Sequence, residues 1–143
     1  MRKIGLDVGD KTVGIAISDP LGYTAQGVMT LERVGIRKDT TKILEMVKEY
    51  ECDTIVVGLP KKLDGSDSIQ TEKVYEFKNM LENKMRSTGM KNIKVEWQDE
   101  RLTTVMAEKV LIEADVSRAK RKKVIDKQAA VIILQSYLDS TQR

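Results

Sequence analysis

Residues 3–18 read Lys3-Ile4-Gly5-Leu6-Asp7-Val8-Gly9-Asp10-Lys11-Thr12-Val13-Gly14-Ile15-Ala16-Ile17-Ser18. Ile4, Leu6 and Val8 alternate with Gly5 and Asp7; Val13, Ile15 and Ile17 alternate with Gly14 and Ala16. This is period-2 patterning, and it predicts two strands joined by a tight Gly9-Asp10-Lys11 turn. Asp7 falls on the face that carries Gly5, Gly14 and Ala16, where small residues leave room for another group to approach the backbone. Burying a carboxylate is costly, so this one is expected to meet a metal ion, a network of donors, or solvent in a cleft. Any chemistry must run without imidazole, because the chain contains no histidine.

Working outward, residues 24–30 read as a third strand interrupted by Gly27, and 31–38 as a polar connection. A helix is predicted at about 40–50, with Ile43, Met46, Val47 and Tyr50 on one face and Asp39 or Thr40 as its cap. Thr54-Ile55-Val56-Val57 is a continuous apolar run, read as a buried parallel strand because a helix precedes it. Gly58-Leu59-Pro60 ends it, and a polar loop follows to Asp67. The next helix covers about 68–86, with Val74, Phe77, Leu81 and Met85 as its stripe and Asp67 and Gln70 at capping-box spacing. Residues 93–97 alternate as a strand, and 103–114 read as a helix. The last helix, about 122–139, is apolar on most sides and should lie against the sheet. A meander followed by βα alternation implies a mixed sheet with helices on its faces.

One domain is the natural reading of 143 residues. The single cysteine, Cys52, excludes an intramolecular disulfide and a multi-cysteine zinc site, and reads as a small core residue. With no signal-like start and no long apolar run, the chain reads as soluble and cytoplasmic. Its net charge of +3 conceals an asymmetry. Arg118, Lys120, Arg121, Lys122, Lys123 and Lys127 stand against the single acid Asp126, a local +5 on a body that is otherwise −2. A dense basic patch of this kind suggests a polyanion partner.

Three acidic positions are candidates for chemistry: Asp7, the pair Asp99-Glu100 just past the strand ending at Trp97, and Asp126 on the last helix. Parallel strands present their C-terminal ends along one edge, where open α/β sheets bind ligands. If the first and last strands run the same way, Asp7 and Glu100 share that edge, and a helix packed across it brings Asp126 to them. Oxygen-only clusters suit Mg²⁺ or Mn²⁺. Two such ions activate water and stabilise the leaving oxygen of a phosphodiester, a mechanism that needs no histidine. Each acid also has a structural alternative, as a turn residue, a helix cap or an ion-pair partner.

The chain resembles the YqgF family of RNase H-like proteins, also described as Holliday junction resolvases or pre-16S rRNA nucleases. The resemblance rests on Asp7-Val8-Gly9 with Val13-Gly14-Ile15-Ala16, and on Val57-Gly58-Leu59-Pro60 with Asp64-Gly65-Ser66. It continues with Asp99-Glu100-Arg101-Leu102-Thr103-Thr104, and with Lys122 and Lys123 ahead of Asp126-Lys127-Gln128-Ala129-Ala130. It implies an RNase H-like fold, a five-stranded mixed sheet of three antiparallel and two parallel strands. It also implies a metal-dependent nuclease with Asp7, Glu100 and Asp126 as the metal-binding and catalytic acids, Asp99 taking the second place if Glu100 faces away. The substrates it implies are the 5′ end of the 16S ribosomal RNA precursor or branched DNA.

Within that reading Asp7 is expected to bridge two metal ions, with Glu100 and Asp126 each holding one. Lys61, Lys62, Arg101, Arg118, Lys120, Arg121, Lys122 and Lys123 are expected to hold the nucleic-acid backbone. Aromatic residues are 4% of the chain, so base stacking contributes little and backbone contact more. Two competing readings stay open: an actin-like ATPase, which the length argues against, and a non-catalytic nucleic-acid-binding ribosome-assembly factor. A resolvase needs a two-fold dimer to cut two strands symmetrically; the residues leave monomer and homodimer open.

Overall fold

The computed structural model describes residues 1–60, 62, 64–99 and 118–141, the stretch 118–127 by its backbone alone. Three strands, β1 (Arg2–Val8), β2 (Thr12–Ser18) and β3 (Ala25–Glu32), form an antiparallel meander. β4 (Cys52–Leu59) pairs parallel to β1, and β5 (Lys94–Asp99) parallel to β4, so the strand order is β3-β2-β1-β4-β5. The expected mixed sheet, three strands antiparallel and two parallel, is therefore present. Three helices are described: α1 (Ile36–Glu49), α2 (Ile69–Ser87) and α3 (Arg118–Thr141).

The period-2 patterning of β1 and β2 divides the core in two. Ile4, Leu6, Val8, Val13, Ile15 and Ile17 face α1 and α2, meeting Ile43, Val47, Val74, Phe77 and Leu81. On the other face Ala16 and Val56 meet Ala130, Ile133, Leu134 and Leu138 of α3. Small residues let that helix sit close: a Cβ on Gly5 would lie 2.7 Å from Leu134 Cβ and 3.2 Å from the Ala130 carbonyl oxygen. Gly5→Ala is thus expected to cost about 1–3 kcal/mol through overpacking. A lowered urea midpoint would show it; an unchanged midpoint would mean that α3 slides aside at no cost.

The direction of α3 follows from its anchors. Gln135 Oε1 accepts the Ala25 N–H at 2.9 Å and its Nε2 donates to the Tyr23 carbonyl at 3.0 Å. Ala25 pairs with Ser18, whose hydroxyl accepts the Lys3 N–H at 2.8 Å. The C-terminal half of α3 therefore lies over the start of β1, and its N-terminal half runs toward the end of β1 that carries Asp7.

Several boundaries differ from expectation. β3 continues to Glu32 and α1 begins at Ile36, so the connection shrinks to three residues. Asp39 and Thr40 do not cap α1: its N-cap is Gly35, which has no side-chain capping bond. Asp39 instead reaches back from the first turn to the Val34 and Gly35 N–H groups, at 3.0 and 3.3 Å. The capping box of α2 is Ser68 with Thr71, one residue along from the predicted Asp67 and Gln70. The basic stretch from Arg118 belongs to the last helix rather than preceding it. The predicted helix at 103–114 lies outside the described residues. Cys52 is a core residue as expected, 3% exposed, and burial with the neighbouring Asp53 carboxylate pushes its thiol up to about 11.

Candidate functional site at the C-terminal edge of the sheet

Asp7 is half-buried near the C-terminal end of the central strand, directly opposite Gly14 of β2. Alternation along β1 puts it on the α3 face with Gly5. The turn that follows is built to stay in place. The Gly9 N–H donates to the Thr12 carbonyl at 2.8 Å, and a Cβ on Gly9 would lie 3.1 Å from that oxygen. Three side chains from outside the hairpin hold it as well. Gln70 Nε2 donates to the Val8 carbonyl at 2.9 Å, Arg33 Nη1 to the Gly9 carbonyl at 2.8 Å, and Lys73 pairs with Asp10 at 2.9 Å. The last pair is well exposed and adds little.

Arg33 ties the turn to both helices of the opposite layer. Its Nε meets Asp39 Oδ2 at 3.0 Å, and its guanidinium lies over the Phe77 ring, 5.3 Å from the centroid. Burial works to raise the Asp39 carboxyl, but the Val34 N–H, the Arg33 guanidinium and the Gly35 N–H prevail and hold it below its ordinary value. In the sequence Arg33 carries no motif, and Gln70 and Asp39 stand only at capping positions. No local signal marks the anchors of the turn, since Gln70 and Val8 are 62 residues apart and Arg33 and Gly9 are 24.

Beside the turn, the loop after β4 is pinned to α2. The Thr71 hydroxyl donates to the Pro60 carbonyl, and the Lys62 N–H donates to the Ser66 carbonyl at 3.0 Å. A cleft of about 600 Å³ lies here among Lys62, Asp67, Ser68, Ile69, Gln70 and Glu72. Lys62 is exposed on its wall, and Gln70 links that wall to the end of β1. A cleft of about 550 Å³ opens at the other end of the sheet, where Lys3 and Asp53 pair at 3.1 Å.

Asp99 ends β5 opposite Leu59 and is exposed. It shares its side of the strand with Val95 and Trp97, which pack against the α1 and α2 layer. Asp99 and Asp7 therefore stand on opposite faces of the sheet. Glu100, Arg101 and Lys61 lie outside the described residues. Arg118, Lys120, Arg121, Lys122, Lys123 and Asp126 belong to the N-terminal half of α3, with their side chains outside the description. Along the backbone Asp126 is one helical turn ahead of Ala130, in the half of α3 that runs toward the Asp7 end of β1.

Among the described residues no group of three or more Asp, Glu, His or Cys could hold a metal ion; of the three predicted ligands, Glu100 lies outside them and Asp126 is described by its backbone alone. What is described fits a hard cation. Asp7 offers oxygen at the sheet edge, the chain has no imidazole, and its one thiol is buried at the start of β4, away from that edge. No described helix is long and apolar enough to cross a membrane.

The model of a family described as "RuvX: Holliday junction resolvase" matches residues 1–140. A Clostridium tetani protein named "Putative pre-16S rRNA nuclease" is 54% identical over 140 residues, covering 98% of this chain and 97% of its own. Among solved structures, RuvC of T. thermophilus in complex with a Holliday junction substrate superposes with a TM-score of 0.59 at 11% identity, over 98% of this chain and 94% of that one. The Fowlpox virus resolvase in complex with Holliday junction DNA gives 0.59 at 17% identity, over the whole of both chains. At such identities the likeness speaks for the fold alone, the RNase H-like sheet that the motifs implied. Family membership rests on the match over nearly the full length and on the Clostridium relative: the chain belongs to the RuvX family, to which its YqgF-type motifs pointed.

Proposed function

We propose that this chain is a metal-dependent endonuclease that hydrolyses phosphodiester bonds of the 16S rRNA precursor at its 5′ end, in the cytoplasm. The observation that carries the reading is the position of Asp7: half-buried at the C-terminal edge of the central strand, on the α3 face, with the turn behind it anchored by Arg33 and Gln70. The name of the Clostridium relative supports the substrate.

Asp7, Glu100 and Asp126 would hold Mg²⁺ or Mn²⁺, which when bound supply an activated water and stabilise the leaving oxygen. The helix register supports including Asp126. One turn from Ala130 advances about 5.4 Å along α3, and two residues from Gly5 to Asp7 advance about 6.6 Å along β1. Because Asp99 stands on the opposite face from Asp7, Glu100 is the acid proposed at the end of β5. The chain's own contribution is to hold the Asp7 carboxylate at a fixed point, so little reorganisation remains for the reaction. Lys61, Lys62, Arg101, Arg118, Lys120, Arg121, Lys122 and Lys123 would grip backbone phosphates on either side.

A second substrate reading, resolution of four-way DNA junctions, is favoured by the family description and by the junction-bound resolvases of the same fold. End-labelled RNA spanning the 5′ boundary of 16S rRNA and a four-way DNA junction separate the two. The expected result is cutting of the RNA at a defined position, abolished by EDTA and restored by added Mn²⁺. Cutting of the junction alone would move the substrate to DNA. Tight binding with no cutting of either would replace the nuclease by a non-catalytic assembly factor.

A further inference from the structure

The nuclease reading uses the sheet edge and the α3 face. On the opposite layer, α1 and α2 enclose a shallow groove of about 290 Å³ lined by Arg37, Lys38, Thr41, Lys42, Glu45 and Lys84. Four of these six are cations and one is an acid. Arg37, Lys38 and Lys42 are exposed, and none of them makes an ion pair among the described residues.

Two of these cations work against the helix that carries them. Arg37 and Lys38 lie in the first turn of α1, against the positive end of its dipole. The acid of that turn, Asp39, is buried and already engaged by Arg33. Lys84 lies in the last turn of α2, where its charge would suit its own helix. Its ammonium instead donates to the Arg37 carbonyl and the Thr41 hydroxyl of α1. A fourth cation is thus drawn into the groove.

We infer that this groove is a second contact for a phosphodiester backbone, gripping a duplex segment away from the bond that is cut; the inference rests on the nuclease reading for its substrate class. No apolar side chain lines the groove, so it lacks the anchor that a protein interface centres on. Lys38 and Lys42 are four residues apart, about 6 Å along α1, and so stand on one side of the helix. The groove and α3 are on opposite faces of the sheet, so only a long or folded nucleic acid reaches both.

The test is the salt dependence of binding, measured with metal chelated so that cleavage plays no part. Wild type and a Lys38→Gln/Lys42→Gln variant are compared on an RNA duplex of one helical turn and on one of four turns. The variant should bind the long duplex about tenfold more weakly at low salt, with its log–log salt slope reduced by about 1.5. Its binding of the short duplex should match wild type, and circular dichroism should be unchanged. Unchanged affinity and slope on the long duplex would overturn the inference and leave the groove a solvated face. Equal losses on both duplexes would also overturn it, by making the groove part of a single cleft. A groove that grips the long duplex as described, in a protein that cuts nothing, would uphold this inference while the nuclease reading falls.

Discussion

Asp7→Asn is expected to slow cleavage by about a thousandfold or more while the fold and the affinity for nucleic acid persist. A bound metal stabilises the transition state by several kcal/mol, and every 1.36 kcal/mol is about tenfold in rate. Asparagine keeps the shape of the side chain and one oxygen, but it loses the negative charge that a hard cation requires. The turn behind Asp7 is held through the Val8 and Gly9 carbonyls, which the substitution does not touch. The measurement is single-turnover cleavage of the substrate that wild type cuts, beside binding of the same substrate in EDTA. A variant that cuts at the wild-type rate would remove Asp7 from the chemistry. A variant that no longer folds would show Asp7 to be structural, and thermal unfolding separates these outcomes.

The second large effect is on stability. Asp39→Ala is expected to destabilise the fold by about 3 kcal/mol, because it breaks a largely buried ion pair and leaves the partner cation in place. The Asp39 side chain is 1% exposed and that of Arg33 18%. The Val34 and Gly35 N–H groups lose their acceptor at the same time. Asp39→Asn, which keeps one acceptor oxygen but no charge, should fall between the variant and wild type. Equilibrium unfolding in urea reads the cost; a change below about 0.5 kcal/mol, the range of ordinary surface substitutions, would show that the pair contributes nothing net.

The same pair sets a pH dependence. The folded-state carboxyl of Asp39 titrates below its ordinary value, so its contribution is complete above the unfolded value of about 3.9 and drains away as the pH falls through the lower folded value. Wild-type stability should therefore drop more steeply than that of the alanine variant below about pH 4. Because Arg33 also holds the Gly9 carbonyl, the variant should lose some cleavage rate at neutral pH, where it is still folded.

Much of the architecture was legible because its signals are local. Alternation in residues 3–18 marks two strands and assigns their faces. The run at 54–57 and the stripe Val74, Phe77, Leu81 and Met85 mark the buried strand and helix that follow. The two misread caps have related causes. Asp39 looks like a cap because short acids favour that position, yet a carboxylate can serve N–H groups from inside the first turn, here while it also pairs with Arg33 six residues earlier. Likewise Asp67 and Gln70 have capping spacing, while Gln70 is committed to the Val8 carbonyl across the fold.

By itself the sequence determined the period of each element, the small-residue face of the central hairpin and the order of its acidic motifs, since side-chain size and alternation act within a few residues. Tertiary structure alone decided how the faces of β1 and β5 stand to each other. It put Asp99 on the side opposite Asp7, ran the N-terminal half of α3 toward the end of β1 that carries Asp7, and recruited Arg33 and Gln70 to hold the turn. Those outcomes depend on strand order and helix direction, which follow from packing two apolar layers against one sheet, and no window of neighbouring residues contains them.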